Sequence, residues 1–324
     1  MATSRKPTPK KSVNKPSSKK QFDLHTFLHY FYWVLAIVSV LGAASVVSFY
    51  TGYNMAKEED SCVLRKHVKV TENLQRKITE LSELTAKHEY EDASTPPKGA
   101  EKRVQKVAGK RGQLVIIFDD VSFAGDVRHI KALDIPVTMS FLPPTARHPD
   151  SAKLAADEPY YMVHLPMEAM NFNSPEKSTL LTTDTKQSVI ERIEEIEKLF
   201  PNVEYINNHT GSKFTSDENA MNKLIFALRL EKIGFIDSRT TAQSKAKKVM
   251  DRYKMPYIAR DIFLDNEADV KSIKSQIKKA IRIASKYGQC IAICHPHKAT
   301  LQALEASKSL FKDIELVRID KLRK

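Results

Sequence analysis

From residue 113 onward the chain alternates short apolar runs with longer segments in which apolar positions recur every three or four residues. The short runs, at 114–118, 136–141, 160–164, 203–207, 234–237, 257–260, 290–294 and 314–318, read as strands. Between them, 126–133, 146–156, 185–200, 217–232, 244–253, 269–287 and 301–311 carry the helical period, with Glu191, Glu194 and Glu195 opposite Ile190, Ile193 and Ile196. Thr215 and Glu218 have the spacing of a capping box, and Gly234 and Gly288 stand where the preceding helices should stop. Strand, helix and parallel strand, repeated about seven times, predict an α/β fold with a parallel sheet, open or closed into a barrel, over residues 113–324. In either form polar chemistry belongs at the C-terminal ends of the strands.

A different pattern precedes the sheet. Residues 27–53 contain no Asp, Glu, Lys or Arg, a stretch longer than the roughly 20 residues a helix needs to cross a bilayer. Tyr30, Tyr32 and Trp33 at one end and Phe49, Tyr50 and Tyr53 at the other suit the two interfaces. The stretch exceeds the apolar segment of a cleaved signal and no small-x-small site follows it, so residues 26–54 read as an uncleaved transmembrane helix. Residues 1–22 carry seven cations and no acid, while Glu58, Glu59 and Asp60 follow the span, which predicts a single pass through a bacterial inner membrane with the N-terminus cytoplasmic and the remainder periplasmic. Residues 1–25 form a basic tail too polar to fold. Residues 55–92 bring Leu74, Ile78 and Leu81 to alternating four and three spacing, which predicts a helical stalk. Either that stalk pairs two chains as a weak coiled coil, giving a homodimer, or it stands solvated, since His67 and Thr71 interrupt the seam. Residues 93–112 read as a basic linker.

Charge changes the picture only when it is located. The formal net charge is +13, of which residues 1–22 and 98–112 supply twelve. The folded remainder is nearly neutral, which argues against nucleic acid as a partner. Cys62, Cys290 and Cys294 make no disulfide framework. Along one strand, Cys290 and Cys294 would lie about 13 Å apart, beyond bonding reach, and both read as small buried hydrophobes.

The strand ends carry the candidate chemistry. Residues 114–118 stop on Asp119 and Asp120, two adjacent carboxylates that either cap the next helix or serve a cation or a reaction. The third strand delivers His164, followed by Glu168; the fourth delivers Asn207, Asn208 and His209, then Ser212. The fifth ends on Asp237 and Arg239, the sixth on Arg260 and Asp261 with Asp265 close behind, and the seventh on His295. His297 is ambiguous in orientation, and His129 and His148 read as surface residues. One carboxylate and two neutral imidazoles with an open position make a catalytic divalent-metal site, suited to zinc. A second carboxylate beside the first could take a proton from metal-bound water, and a further histidine could hand one to a leaving group. That is the apparatus for hydrolysing an amide or ester.

Asp119-Asp120, His164-Leu165-Pro166-Met167-Glu168, the run from Asn207 to Thr215, Ile236-Asp237-Ser238-Arg239-Thr240, the run from Arg260 to Asp265, and His295-Pro296 occur in that order. Together they resemble the divergent polysaccharide deacetylase family, related to the NodB-type carbohydrate deacetylases, over residues 113 to about 320. The resemblance implies a distorted NodB-like (β/α)7 barrel that removes N- or O-acetyl groups from a polysaccharide or peptidoglycan-type glycan with a divalent metal, zinc first. It implies Asp119 as base, Asp120 and His164 as metal ligands and His295 as acid. Where the wider group has His-x-x-x-His, this chain has Glu168, so the second imidazole is expected from His209, with Glu168 as the substitute. Arg260 or Arg239 would orient Asp119, and Asn208, Ser212, Asp237 and Asp261 would complete a substrate-binding or orienting rim. The alternative from another class is an inactive barrel that binds glycan or an envelope partner.

Overall fold

The computed structural model describes His29, Tyr32, Trp33, residues 35–55, Lys69, residues 111–171 and residues 175–323. The expected tail, Cys62 and most of the stalk and linker lie outside these residues. The chain divides into two units, Met1–Lys77 and Ile78–Lys324.

In the first unit, helix α1 (Leu35–Met55) is long and apolar enough to cross a membrane, with a mean hydropathy of 1.8. Its Ser39, Ser45 and Thr51 hydroxyls donate to the carbonyls of Leu35, Leu41 and Val47, four residues back. These polar groups are thus satisfied within the helix, as an apolar solvent requires.

The second unit is a curled parallel sheet flanked by helices. Its strands are β1 (Gln113–Val121), β2 (Thr138–Phe141), β3 (Met162–Met167), β4 (Tyr205–Thr210), β5 (Gly234–Asp237), β6 (Ile258–Ala259), β7 (Ile262–Phe263), β8 (Gln289–Cys294) and β9 (Glu315–Leu316). The connecting helices are α2 (Ala124–Lys131), α3 (Ser151–Ala156), α4 (Lys186–Leu199), α5 (Ser212–Ser216), α6 (Glu218–Leu230), α7 (Ala246–Arg252), α8 (Val270–Tyr287) and α9 (Lys298–Glu305). Strand order is β6-β5-β4-β3-β2-β1-β8-β7, with β9 beside the start of β1. The α/β class and NodB-like architecture expected from the sequence are therefore present.

One strand is additional. The expected strand at 257–260 is β6, a second two-residue strand, β7, follows it, and the two occupy opposite ends of the hydrogen-bonded order. Only Arg260 and Asp261 separate them, so the sheet must curl until one segment of chain supplies both edges. Arg260 N donates to Asp237 O on one side (2.9 Å) and Asp261 N to Ile291 O on the other (2.8 Å).

Alternation along the strands sorts side chains into two apolar layers. Leu114, Ile116, Phe118, Val163, Leu165, Ile206, Phe235, Cys290, Ala292 and Cys294 belong to the larger core cluster, together with buried residues of the helices. Val115, Ile117, Met162, Ile236, Ile291 and Ile293 form a second cluster, joined by Val317 and Ile319 from the C-terminal segment. Both strand cysteines are fully buried in the larger cluster, as expected of small hydrophobes.

Two local expectations are corrected. The cap of α6 is Asp217, whose side chain accepts from Ala220 N at 2.8 Å. Thr215 lies inside α5, where its hydroxyl donates to Gly211 O, because a short helix fills the turn that the spacing alone left open. Gly288 does end α8 in the left-handed conformation, but Gly234 begins β5, and Lys232 carries the positive φ after α6. Gly234 is needed for space, since a Cβ there would lie 2.5 Å from the Tyr205 ring.

Candidate active site

The inner set of strand positions leads directly to the site. Asp119 continues the parity of Val115 and Ile117, His164 that of Met162, Asn207 and His209 that of Tyr205, Ser238 that of Ile236, and His295 that of Ile291 and Ile293. Asp120 should then face the opposite layer, and a β-bulge prevents it. The register passes from Phe118↔Met139 to Val121↔Phe141, so β1 spends one residue more than β2. Asp120 adopts φ 58°, left-handed for a residue with a side chain. Consecutive carboxylates are thereby brought to one centre.

Asp120, His164 and His209 converge, each offering one ligand atom within 4.8 Å of the others. His209 Nδ1 lies 2.9 Å and His164 Nε2 3.4 Å from Asp120 Oδ1, and the two imidazoles meet nearly at right angles. Tetrahedral zinc with bonds of 2.0–2.1 Å would hold its ligand atoms about 3.3 Å apart, so this donor set fits such an ion in both chemistry and spacing. Burial alone would raise the Asp120 carboxyl, but the His209 and His164 imidazoles more than offset it and hold the group well below the usual carboxylate range.

Beside this trio, Asn207 organises the second carboxylate. Its Nδ2 donates to both oxygens of Asp119, at 2.9 Å each, and lies 3.1 Å from Ser238 Oγ. Its Oδ1 accepts from Ser140 Oγ (2.6 Å) and lies 3.1 Å from His164 Nδ1. With the His164 proton on Nδ1, facing Asn207 and Asp119 (3.5 Å), the Nε2 lone pair is left for the centre. The sequence places Asn207 at a strand end but assigns the orienting role to Asn208, although Asn207 shares the inward parity of His209 two positions on.

His295 is fully buried on β8's exit and held by Asp265. Its Nδ1 lies 3.3 Å from Asp265 Oδ1, while its backbone N and Thr300 Oγ1 donate to Oδ2 at 2.7 and 2.9 Å. Burial would raise the Asp265 carboxyl, yet the His295 imidazole and these bonds bring it below the ordinary value. The ring also lies close enough to Asp120 for its charge to act on that carboxyl. His297 stacks on His295 at 5.7 Å between centroids.

The remaining candidates take other positions. Glu168 accepts from Thr182 N and Oγ1 (2.8 and 2.7 Å) and pairs with Lys213 (2.5 Å), outside the converging trio. Asn208, of the opposite parity to Asn207, bonds Thr210 O and Ser238 N and so wires two rim loops together. Ser212 Oγ accepts from Met170 N, and Asp237 accepts from Tyr257, Ser244 and the Arg239 amide. Arg239 has φ 53°; Arg260 donates to the carbonyls of Ser238 and Arg239 and lies over Phe263 at 3.8 Å. Asp261 Oδ2 accepts from Ile291 N across the seam. His129 is exposed as expected, but His148 is not: it is 5% exposed, with Nε2 3.1 Å from Thr145 Oγ1 and 4.0 Å from Glu176. A polar loop sequence concealed it because the loop folds back and covers the ring.

Residues 116–323 match the family model described as divergent polysaccharide deacetylase. Over 217 residues the chain is 32% identical to the uncharacterized protein YibQ of Escherichia coli K12, covering 65% of this chain and 67% of that one. It is 29% identical over 223 residues to an uncharacterized protein of Haemophilus influenzae Rd, covering 65% and 77%. The crystal structure of an uncharacterized protein from Agrobacterium tumefaciens C58 shares the fold, with a TM-score of 0.57 at 19% identity over 70% of this chain and 98% of that one.

Proposed function

The chain belongs to the divergent polysaccharide deacetylase family, and from that premise we propose that it is a metal-dependent deacetylase, anchored in a bacterial inner membrane by α1, that removes acetyl groups from an envelope or exported glycan in the periplasm. The observation that carries the reading is the convergence of Asp120, His164 and His209 beside an Asp119 already oriented by Asn207. Zinc, held by those three residues, would supply a water acidified toward a pKa of about 7 and polarisation of the acetyl oxygen.

The chain's own groups do the rest. Asp119 takes a proton from the attacking water as its oxygen bonds to the acetyl carbon, and Asn207 keeps the carboxylate aimed throughout. His295 gives the proton on Nε2 to the departing amine or hydroxyl oxygen as its bond to the acetyl carbon breaks, and Asp265 at Nδ1 fixes the ring and stabilises its cationic form. Acetate and a free amine or hydroxyl are the products. Glu168 is a brace between the loops after β3 and β4 rather than a ligand.

The test uses the full chain purified in detergent without chelator. One equivalent of divalent metal per chain is expected, lost in Asp120→Asn and in His209→Ala. Acetate release from acetylated oligosaccharides should fall at least about a hundredfold in Asp119→Asn. Absence of stoichiometric metal, with acetate release indifferent to Asp120→Asn, would overturn the proposal. Protease digestion of spheroplasts should cut the segment after α1 without lysis if it is periplasmic.

A further inference from the structure

We propose that Phe123, backed by His148, is a stacking platform for a sugar ring on the rim of the metal centre. Its identification as a sugar site rests on the deacetylase reading; the existence of the platform rests on the following geometry. Phe123 is 45% exposed. It stands three residues after Asp120, so the bulge that presents the carboxylate also presents the ring. Nor is it on a loose loop. Asp126 accepts from the amides of both Ser122 (3.3 Å) and Phe123 (2.9 Å), Ser122 Oγ donates to Asp120 O, and Leu142 N donates to Val121 O. With its backbone held this firmly, only the torsions of the Phe123 side chain remain to be fixed when a flat ligand covers the ring.

Behind it is the histidine that the sequence placed at the surface. The His148 ring meets Phe123 edge to face, with centroids 6.2 Å apart and planes at 86°. Thr145 Oγ1 lies 3.1 Å from Nε2, Glu176 stands 4.0 Å away, and Nδ1 is buried with no hydrogen-bond partner among the described residues. Phe123 follows the C-terminal end of β1, where Asp119 and Asp120 lie, so both rings stand at the metal-centre end of the barrel. An exposed aromatic face suits the C–H face of a pyranose, whose hydroxyls stand at its edge. The platform would hold the ring next to the one losing its acetyl group and thereby select a polymer over a free acetylated monosaccharide.

Binding is to be read without turnover, in full-length chain in detergent carrying Asp119→Asn, by titration with tetra-N-acetylchitotetraose and with O-acetylated xylo-oligosaccharide. Phe123→Ala should weaken binding of at least one probe about tenfold, with Phe123→Tyr restoring it. His148→Ala should weaken it in the same sense. Leu230→Ala, which truncates another exposed apolar side chain, serves as the surface control and should change nothing. Phe123→Trp gives a second readout, since the only other tryptophan is Trp33 near α1: its emission should shift to the blue on adding the probe. Unaltered affinity in Phe123→Ala, or no binding of either probe by the parent, overturns the platform. Failure of the deacetylase reading looks different: Phe123-dependent binding would persist while the metal-loaded chain with Asp119 intact released no acetate.

Discussion

Asn207 uses both ends of its amide: Nδ2 serves Asp119 and faces Ser238, and Oδ1 serves Ser140 and faces His164. Truncating it would leave a buried carboxylate and an imidazole short of partners, and unmade bonds to charged buried groups cost more than formed bonds contribute. Asn207→Ala is therefore expected to lower unfolding free energy by about 2–4 kcal/mol in urea denaturation and to reduce acetate release beyond what the stability loss explains. Ser140→Ala, losing one neutral bond, should cost about 1 kcal/mol. Glu168 makes a prediction of another kind. Burial would raise its carboxyl, but Lys213 and Thr182 bring it below the ordinary value. The folded protein thus binds this proton less tightly than the unfolded chain does. The stabilisation is complete above the unfolded pKa of about 4.3 and is lost as pH falls through the lower folded value. Glu168→Gln should lose about 1–2 kcal/mol at pH 7, with the gap to the parent narrowing below about pH 4, and should keep its metal. A fall in metal content instead would make Glu168 a ligand.

Elements were legible where periodicity alone decides them, and illegible where a partner strand or neighbour decides. The apolar run ending on Asp119 reads as a strand from sequence, and so do the runs that end on His164, Asn207 and His295. The bulge that turns Asp120 inward does not, because an extra residue exists only relative to the register of β2. For the same reason Asn207 was passed over in favour of Asn208: choosing between adjacent polar residues needs the parity of the whole strand, which Ile206 in the outer cluster and Tyr205 against the inner one supply. Helix α8 shows a further loss by averaging. The folded part carries a net charge of only +4, yet α8 carries Lys271, Lys274, Lys278, Lys279, Arg282 and Lys286 and no acid. Lys274, Lys278, Arg282 and Lys286 follow one another at four-residue spacing, where like charges repel. Lys278→Glu converts two of these repulsions into attractions and should stabilise the unit by about 0.5–1 kcal/mol, read as a rise in Tm of roughly 2 °C. Since the side chain is exposed, the gain should shrink in about 1 M salt, where the Debye length is about 3 Å.

At the scale of the whole barrel unit, the sheet closes through chain connectivity rather than through a ladder between its edges. Strands β6 and β7 are two residues each, and Arg260 and Asp261 between them bond outward to β5 on one side and β8 on the other. The sequence shows the strand at 257–260 but not β7, because the short apolar run after Asp261 gives no sign that it pairs with a different neighbour. Asp261, expected at the rim as a substrate-binding or orienting residue, instead has its carboxylate accepting from Ile291 N at 2.9 Å, while its own amide donates to Ile291 O. Leu264 N extends the seam by donating to Ile293 O at 2.9 Å, and Asp265, the next residue, is the one that holds His295. Closure and the carboxylate that holds His295 are therefore four residues apart on one segment. Asp261→Ala should open the seam locally, with hydrogen exchange at the Ile291 and Leu264 amides accelerating about tenfold while the amides of β3 and β4 stay protected. Metal content should remain at one equivalent, because Asp120, His164 and His209 lie on β1, β3 and β4, away from the seam. If exchange instead accelerated uniformly across the sheet, the seam would be part of one cooperative unit with the metal strands, and closure would be a condition of the whole fold rather than of the His295 side of the site alone.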